Sequence, residues 1–224
     1  MPDEHARPPL VIDVWSDVMC PFCYMGDALL QKALESFAHA DAVEVRYHSY
    51  QLMPHLPADC AMNVNDLLVR EKGLPRARAE ELNAQITERG KQVGLDYRFD
   101  KAIAVNTRAA HRLSHFAKQH GKQLVLMRRV FRAFFTEGLD LGKHEVLAGL
   151  AADVGLERAA ALDALASNAF EEDVRADVNG ARAIGIQGVP FFVLDGKFAV
   201  SGAQPVPIFT KALEAAWTAK LGAA

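Results

Sequence analysis

Cysteine is scarce in this chain. Three residues in 224 are too few, and odd in number, for the disulfide framework that staples small secreted domains. Long apolar runs are missing too: no stretch is long enough to cross a bilayer. The segment before Leu10 is polar, carries Pro2, Pro8 and Pro9, and contains no signal-length hydrophobic run. Cytoplasmic residence is therefore the expectation. Charge of a single sign is also lacking. The 25 Lys and Arg and 28 Asp and Glu are mixed throughout, leaving a formal net charge of -3, which argues against nucleic acid or an anionic membrane as partner. Glycine-rich phosphate loops, nucleophile elbows, dinucleotide fingerprints and internal repeats are absent. What is present is a half-apolar composition, enough for a sizeable core without staples.

Residues 10–15, Leu-Val-Ile-Asp-Val-Trp, are rich in β-branched and aromatic side chains and predict a buried strand. Met25, Leu29, Ala33, Leu34 and Phe37 then recur at helical spacing, ending in polar residues around His39 and Asp41. Residues 43–50 alternate apolar and polar with period two, so the opening reads as a parallel β-α-β unit. From about Asn63 to Asn179 the pattern is almost entirely helical, with Gly or Pro only at the ends of segments. Strand composition returns at residues 189–194, Asp195-Gly196 signals a two-residue hairpin, and residues 197–201 complete it. Pro205 and Pro207 open a last helix over residues 208–221. A β-α-β and a β-β-α unit sharing one sheet make an α/β thioredoxin fold with a large helical insertion. Its thioredoxin-fold domain takes residues 10–55 and 185–221, and the inserted helical domain residues 62–180.

Cys20-Pro21-Phe22-Cys23 lies where the first strand ends and the first helix begins. A thiol there meets unpaired backbone N–H groups and the positive end of the helix dipole, which stabilise a thiolate. Cysteine pKa values of about 3.5 to 7.5 are typical of such motifs, and the thiolate is the form that attacks a disulfide. Cys20 is the expected nucleophile. Cys23, one turn later on the same face, is the expected resolving thiol. Pro21 pre-sets the first helical turn, and Phe22 offers an apolar contact beside an exposed sulfur. Zinc would need two further ligands at suitable spacing, and no second Cys-x-x-Cys or close Cys-His cluster exists. Pro190, directly before Phe-Phe-Val-Leu, belongs at a strand's beginning. In thioredoxin folds a cis proline at this point faces the cysteines, and a cis bond is expected here.

The segments Asp17-Val18-Met19-Cys20-Pro21-Phe22-Cys23-Tyr24, Asn106-Thr107 through Ala110-His111-Arg112-Leu113, residues 185–192 and Ser201-Gly202-Ala203-Gln204 span nearly the whole chain. Together they resemble the DsbA-like thioredoxin family, in its FrnE-type branch related to 2-hydroxychromene-2-carboxylate isomerases and kappa-class glutathione transferases. The resemblance implies the helical insertion, a cis bond before Pro190 and dithiol-disulfide exchange; the expected partners are protein thiols or disulfides, and no bound cofactor is required. In the isomerase and transferase branches a serine commonly replaces Cys20 and the site binds glutathione. Glutathione therefore stands as an alternative substrate, with Asn106 and Val189 near its binding place by resemblance. The rival function is a glutathione-dependent isomerase or transferase acting on a small aromatic or polyketide-like molecule. A third is a non-catalytic module whose helical block binds a partner.

Other residues carry two readings each. Asp13, inside the apolar first strand, is either a proton carrier for Cys23 or a strand-edge aspartate reached by water. Asp17 either tunes Cys20 electrostatically or stabilises the turn into the helix. His111 and His115 fall four apart on one helix but lack the glutamate of the zinc-protease motif, and no metal is expected. His48 and His55 have no evident partner. Cys60 reads as a packed bystander. Glu80-Glu81, Glu171-Glu172-Asp173 and Arg128-Arg129 read as solvated helix faces.

Overall fold

The computed structural model describes residues 8–222. Residues 1–7, on which most of the leader reading rests, lie outside the described residues. The chain opens with β1 (Leu10–Ser16), α1 (Pro21–Glu35) and β2 (Val43–Ser49). Between the short strands β3 (Met62–Asn63) and β4 (Ile103–Ala104) come α2 (Val64–Lys72) and α3 (Arg76–Lys91). Five more helices follow: α4 (Arg108–Gln119), α5 (Gln123–Arg132), α6 (His144–Asp153), α7 (Arg158–Ala166) and α8 (Glu171–Ala183). The hairpin of β5 (Phe191–Leu194) and β6 (Phe198–Ser201) and the final helix α9 (Val206–Gly222) close the chain.

The main sheet runs β2-β1-β5-β6, with β1 parallel to β2 and antiparallel to β5, so the two halves of the sequence meet between β1 and β5. This is the thioredoxin arrangement expected from the pattern. The hairpin turns as its Asp-Gly signal predicts: Asp195 at φ 50° and Gly196 at φ 68° both adopt the left-handed conformation that suits the twist of the flanking strands. The free edge of β2 is covered by a side chain. Gln123 of α5 accepts from Tyr47 N–H at 3.0 Å and donates to Tyr47 O at 3.0 Å, copying a neighbouring strand.

Two expectations need correction here. The first strand is not buried on both faces: Leu10, Ile12, Val14 and Ser16 are buried, while Val11, Asp13 and Trp15 between them are half-buried. Alternate residues point to opposite faces. The long helical stretch also contains strand, the β3–β4 ribbon, too short to leave a periodic signal. Asn63 anchors it by donating to the carbonyls of Phe99 and Asp100, at 3.1 Å each, and accepting from Asn65 N–H to cap α2.

Residues 62–180 share one apolar cluster with the sheet. Phe131, Phe134 and Phe135 of the helical stretch belong to the same buried cluster as Ile12, Leu30, Phe192 and Phe209. Tyr24 of α1 stacks against Phe131 and Phe135, at 5.5 and 5.8 Å between ring centroids. The start of α1 is thus gripped by the sheet and by the helical block, and packing of this kind holds side chains in single rotamers.

Candidate functional site

β1 ends at Ser16, and a tight turn delivers Cys20 as the N-cap of α1, with Pro21 in the first helical position. The turn is held by Cys20 N–H donating to Asp17 O at 3.0 Å. Asp17 is wholly buried, its carboxylate accepting from Met19 N–H at 3.4 Å and from Leu52 N–H at 2.8 Å, with His111 Nε2 at 3.5 Å. Of its two readings, the structure supports the one in which Asp17 builds the turn.

Cys20 and Cys23 are free thiols, 4 % and 2 % exposed. The sulfur expected to be exposed is therefore covered. Across the fold, the Cys20 thiol donates to Val189 O at 3.5 Å, and the Val189–Pro190 bond is cis as expected. Pro190 O in turn accepts from Gly202 N–H at 2.8 Å. α1 comes this close because residue 26 is glycine: a Cβ there would lie 3.0 Å from both Phe192 Cζ and Pro190 Cγ. Cys23 is deeper. Burial pushes its thiol well up, and the hydrogen bond and charge of Cys20 act in the same direction, while the Ser16 hydroxyl and the Asp17 backbone oppose them.

The helical stretch contributes the rest of the site. Tyr97, in the loop after α3, donates its hydroxyl to Pro21 O at 2.6 Å, and burial raises its phenol far above the usual range. A cavity of about 550 Å³ opens beside Cys20. One wall is Met19, Cys20, Pro21, Phe22 and Val189; the other comes from α2 and α3, with Val64, Leu67, Leu82 and Ile86. Among the described residues Arg89 is the only charged one in the lining, its guanidinium 5.5 Å from the centre of the Phe22 ring. A smaller pocket of about 380 Å³, lined by Gly185, Gln187, Pro190, Ser201 and Gly202, shares Gly188 and Val189 with it. The first is mainly apolar, whereas the second includes three glycines, Gly185, Gly188 and Gly202, which leave backbone uncovered.

Cys20, Pro21, Phe22, Cys23, Val189 and Pro190 are thus brought together. Asp13 is not. It projects from the face of β1 opposite Ser16 and pairs with His48 Nε2 at 2.7 Å, so it has no path to Cys23. Asn106 does not line the cavity: its amide donates to Leu56 O at 2.6 Å and its carbonyl accepts from Arg108 N–H at 3.0 Å, holding the entry to α4. His48, left without a partner by the sequence, lies between Asp13 and Asp177 Oδ1, the latter also at 2.7 Å, and His115 Nε2 lies 3.0 Å from Asp177 Oδ2. Among the described residues, no cluster of three or more His, Cys, Asp or Glu is disposed to hold a metal ion. Cys60 is packed, its thiol 3.7 Å from Ala104 O. Two supposed solvated faces are partnered instead: Arg128 meets buried Asp27 at 3.0 Å, and Glu171 pairs with Arg108. Tyr97, Gly26, Ser16 and Arg89 escaped sequence reasoning. Ser16 alone carried a signal, its place at the end of β1 just before the cysteine turn.

The chain is similar to known proteins over most of its length. A family model described as the DSBA-like thioredoxin domain covers residues 11–214. The uncharacterized protein YwbO of Bacillus subtilis is 29 % identical over 204 residues, covering 90 % of this chain and 94 % of its own. A solved structure described as a probable DsbA oxidoreductase from Streptomyces coelicolor has a TM-score of 0.88 at 36 % identity, covering 93 % of this chain and 90 % of that one. A 2-hydroxychromene-2-carboxylate isomerase shares the fold at a TM-score of 0.68 and 16 % identity, over 96 % of this chain and 99 % of that one.

Proposed function

Because the chain belongs to the DsbA-like thioredoxin family, we propose that it is a thiol-disulfide oxidoreductase of the FrnE type, working through Cys20-Pro21-Phe22-Cys23. The observation that carries this reading is the placement of both thiols at the start of α1, with Cys20 at the N-cap beside the cavity and the Val189 carbonyl. Cys20 attacks a substrate disulfide, and its sulfur bonds to one substrate sulfur while the other leaves as a thiolate. Cys23 then attacks Cys20, forming the internal disulfide and releasing the reduced substrate; the reverse sequence oxidises a substrate dithiol. The high hold on the Cys23 proton supports this order of events, since it leaves Cys20 as the first to react.

The pair of pockets bears on the substrate. The apolar cavity suits a hydrophobic group next to the reacting disulfide, and the backbone-rich pocket around Val189 and Gly202 suits an extended peptide or a glutathionyl group. Protein thiols and glutathione are both partners of this kind. The electrons come from thiols, so the reaction calls for no resident cofactor, and the small, odd number of cysteines is in keeping with a cytoplasmic setting.

The size and apolarity of the cavity favour a second reading, a glutathione-dependent isomerase or transferase acting on a small aromatic molecule. Redox equilibration in glutathione buffers, read as the mass of the alkylated protein with Cys20→Ser as control, separates the two. A reversible two-electron couple lost in the variant is the expected result. Absence of a Cys20–Cys23 bridge in every buffer would transfer the assignment to the isomerase or transferase.

A further inference from the structure

Ser16 ends β1 on the face that carries Ile12 and Val14, is 1 % exposed, and its hydroxyl has no hydrogen-bond partner. A buried hydroxyl without a partner costs stability, so one retained at a reactive centre calls for a role. Ser16 stands directly before the turn that leads into α1 and Cys23, and its hydroxyl is near enough to the Cys23 sulfur to favour that sulfur's charged form. A protonated thiol is a weak acceptor, whereas a thiolate is a strong one. The hydroxyl is therefore idle in the reduced resting protein and engaged only when charge appears on Cys23.

We propose that Ser16 is a further catalytic residue, whose buried and unpartnered hydroxyl donates a hydrogen bond to Cys23 as that sulfur becomes a thiolate. This rests on the dithiol reading above. In the resolving step Cys23 gives up its proton and its sulfur bonds to Cys20; the bond between Cys20 and the substrate sulfur breaks, and that sulfur leaves as a thiolate and takes up a proton. The substrate gains two electrons and the cysteine pair loses two. Ser16 keeps its own proton throughout. In the reverse direction Cys23 is the leaving group and the same donor receives its charge. An interaction made only when charge develops accelerates the step without tightening the ground state.

The titratable groups that face Cys23 are few. Cys20 lies on its own helix, Tyr47 approaches from β2, with Asp27 and Arg128 behind it, and Tyr97 comes from the loop after α3. Both phenols are held neutral by burial. Asp17 offers Cys23 only its backbone. Ser16 is thus the side-chain hydroxyl that favours charge on this sulfur, and the phenols do not titrate in the range where exchange runs.

The test uses the reduced full-length protein and an excess of an aromatic nitrobenzoate disulfide whose released thiolate is coloured. Cys20 releases one thiolate in a first phase, and attack by Cys23 releases a second. Ser16→Ala and Ser16→Gly are expected to slow the second phase about tenfold or more, to move its pH midpoint upward, and to leave the first phase in place. Ser16→Ala is also expected to melt at or above the temperature of the unmodified protein, because it removes an unpaired polar group. An unchanged second phase, or one slowed without any movement of its pH midpoint, would overturn the proposal. If the unmodified protein shows no second phase at all, the dithiol reading falls, and this inference with it.

Discussion

The two faces of the sheet treat their polar groups in opposite ways. On the face toward α8 the polar groups are tied into one network: His48 bridges Asp13 and Asp177 at 2.7 Å each, Asp177 also accepts from Ser49 N–H at 2.7 Å, and Trp15 stacks on His48 at 4.6 Å. At the start of α1 the backbone turn is well bonded, but the groups beside the reacting sulfurs are not. Ser16 has no partner, and the Cys20 thiol makes one long contact with a carbonyl. A saturated network anchors elements, whereas an unsaturated one keeps its hydrogen bonds for a charge that arrives during reaction. The comparison assigns stability to one face and chemistry to the other, which experiments can separate.

The largest effect is expected from Cys20→Ser, which should lower the rate of disulfide exchange by about a thousandfold or more while leaving the melting temperature close to that of the unmodified protein. Exchange assays and thermal melts on the same samples check both halves. On the other face, Asp177→Ala removes one of the two carboxylates on His48 and the bond to Ser49 N–H. It should destabilise the fold by about 3 kcal/mol, measured by urea unfolding, with the exchange rate within a factor of about two. A large drop in exchange would show that the faces are coupled and break the distinction.

Proton linkage sharpens it further. Burial acts to lower the His48 pKa, but the hydrogen bonds to Asp13 and Asp177 and their charges overcome it and raise the value from 6.5 to about 9. A raised folded-state value means that the stabilisation is fully present below pH 6.5 and is lost as pH climbs through 9. The amount at stake is about 3 kcal/mol. Asp177 works on the acid side: burial opposes its ionisation, yet the hydrogen bonds from His115, His48 and Ser49 hold it well below 3.8, so its contribution is present above that value and lost as pH falls. Urea midpoints followed against pH should decline on the alkaline side, and His48→Gln should flatten that decline. Smallest of all, Tyr97→Phe removes the bond to Pro21 O and should cost about 1 kcal/mol, read as a lowered melting temperature. Retention of the full melting temperature would show that the helical block does not brace the cysteine turn.

Much of the framework was legible. The strand-helix-strand opening, the Asp195-Gly196 hairpin and the cis bond before Pro190 all stand where the pattern placed them, and α9 begins at Val206, two residues ahead of expectation. Each of these signals sits within a few neighbouring residues. Asp13 shows where such reading divides: of its two readings the one beside Cys23 fails, because strand parity points it at His48, thirty-five residues away in sequence, and its side chain is partly exposed as the other reading allowed. Asn106 failed for a related reason, since resemblance located the segment but not the direction of the side chain, and both its polar ends are used internally.

By itself, then, the sequence determined the local devices of this protein: a cysteine at a helix N-cap, a proline to start the helix, a second cysteine one turn on, and a turn that only left-handed residues close. These depend on backbone preferences and on spacing, which short segments carry. Only the tertiary structure decided what surrounds the thiols. The Val189 carbonyl reaches Cys20 across 169 residues of chain, α2 and α3 wall the cavity from the long helical stretch, and the Ser16 hydroxyl is buried without a hydrogen-bond partner. Such placements follow from how whole elements pack, which no local pattern of residues records.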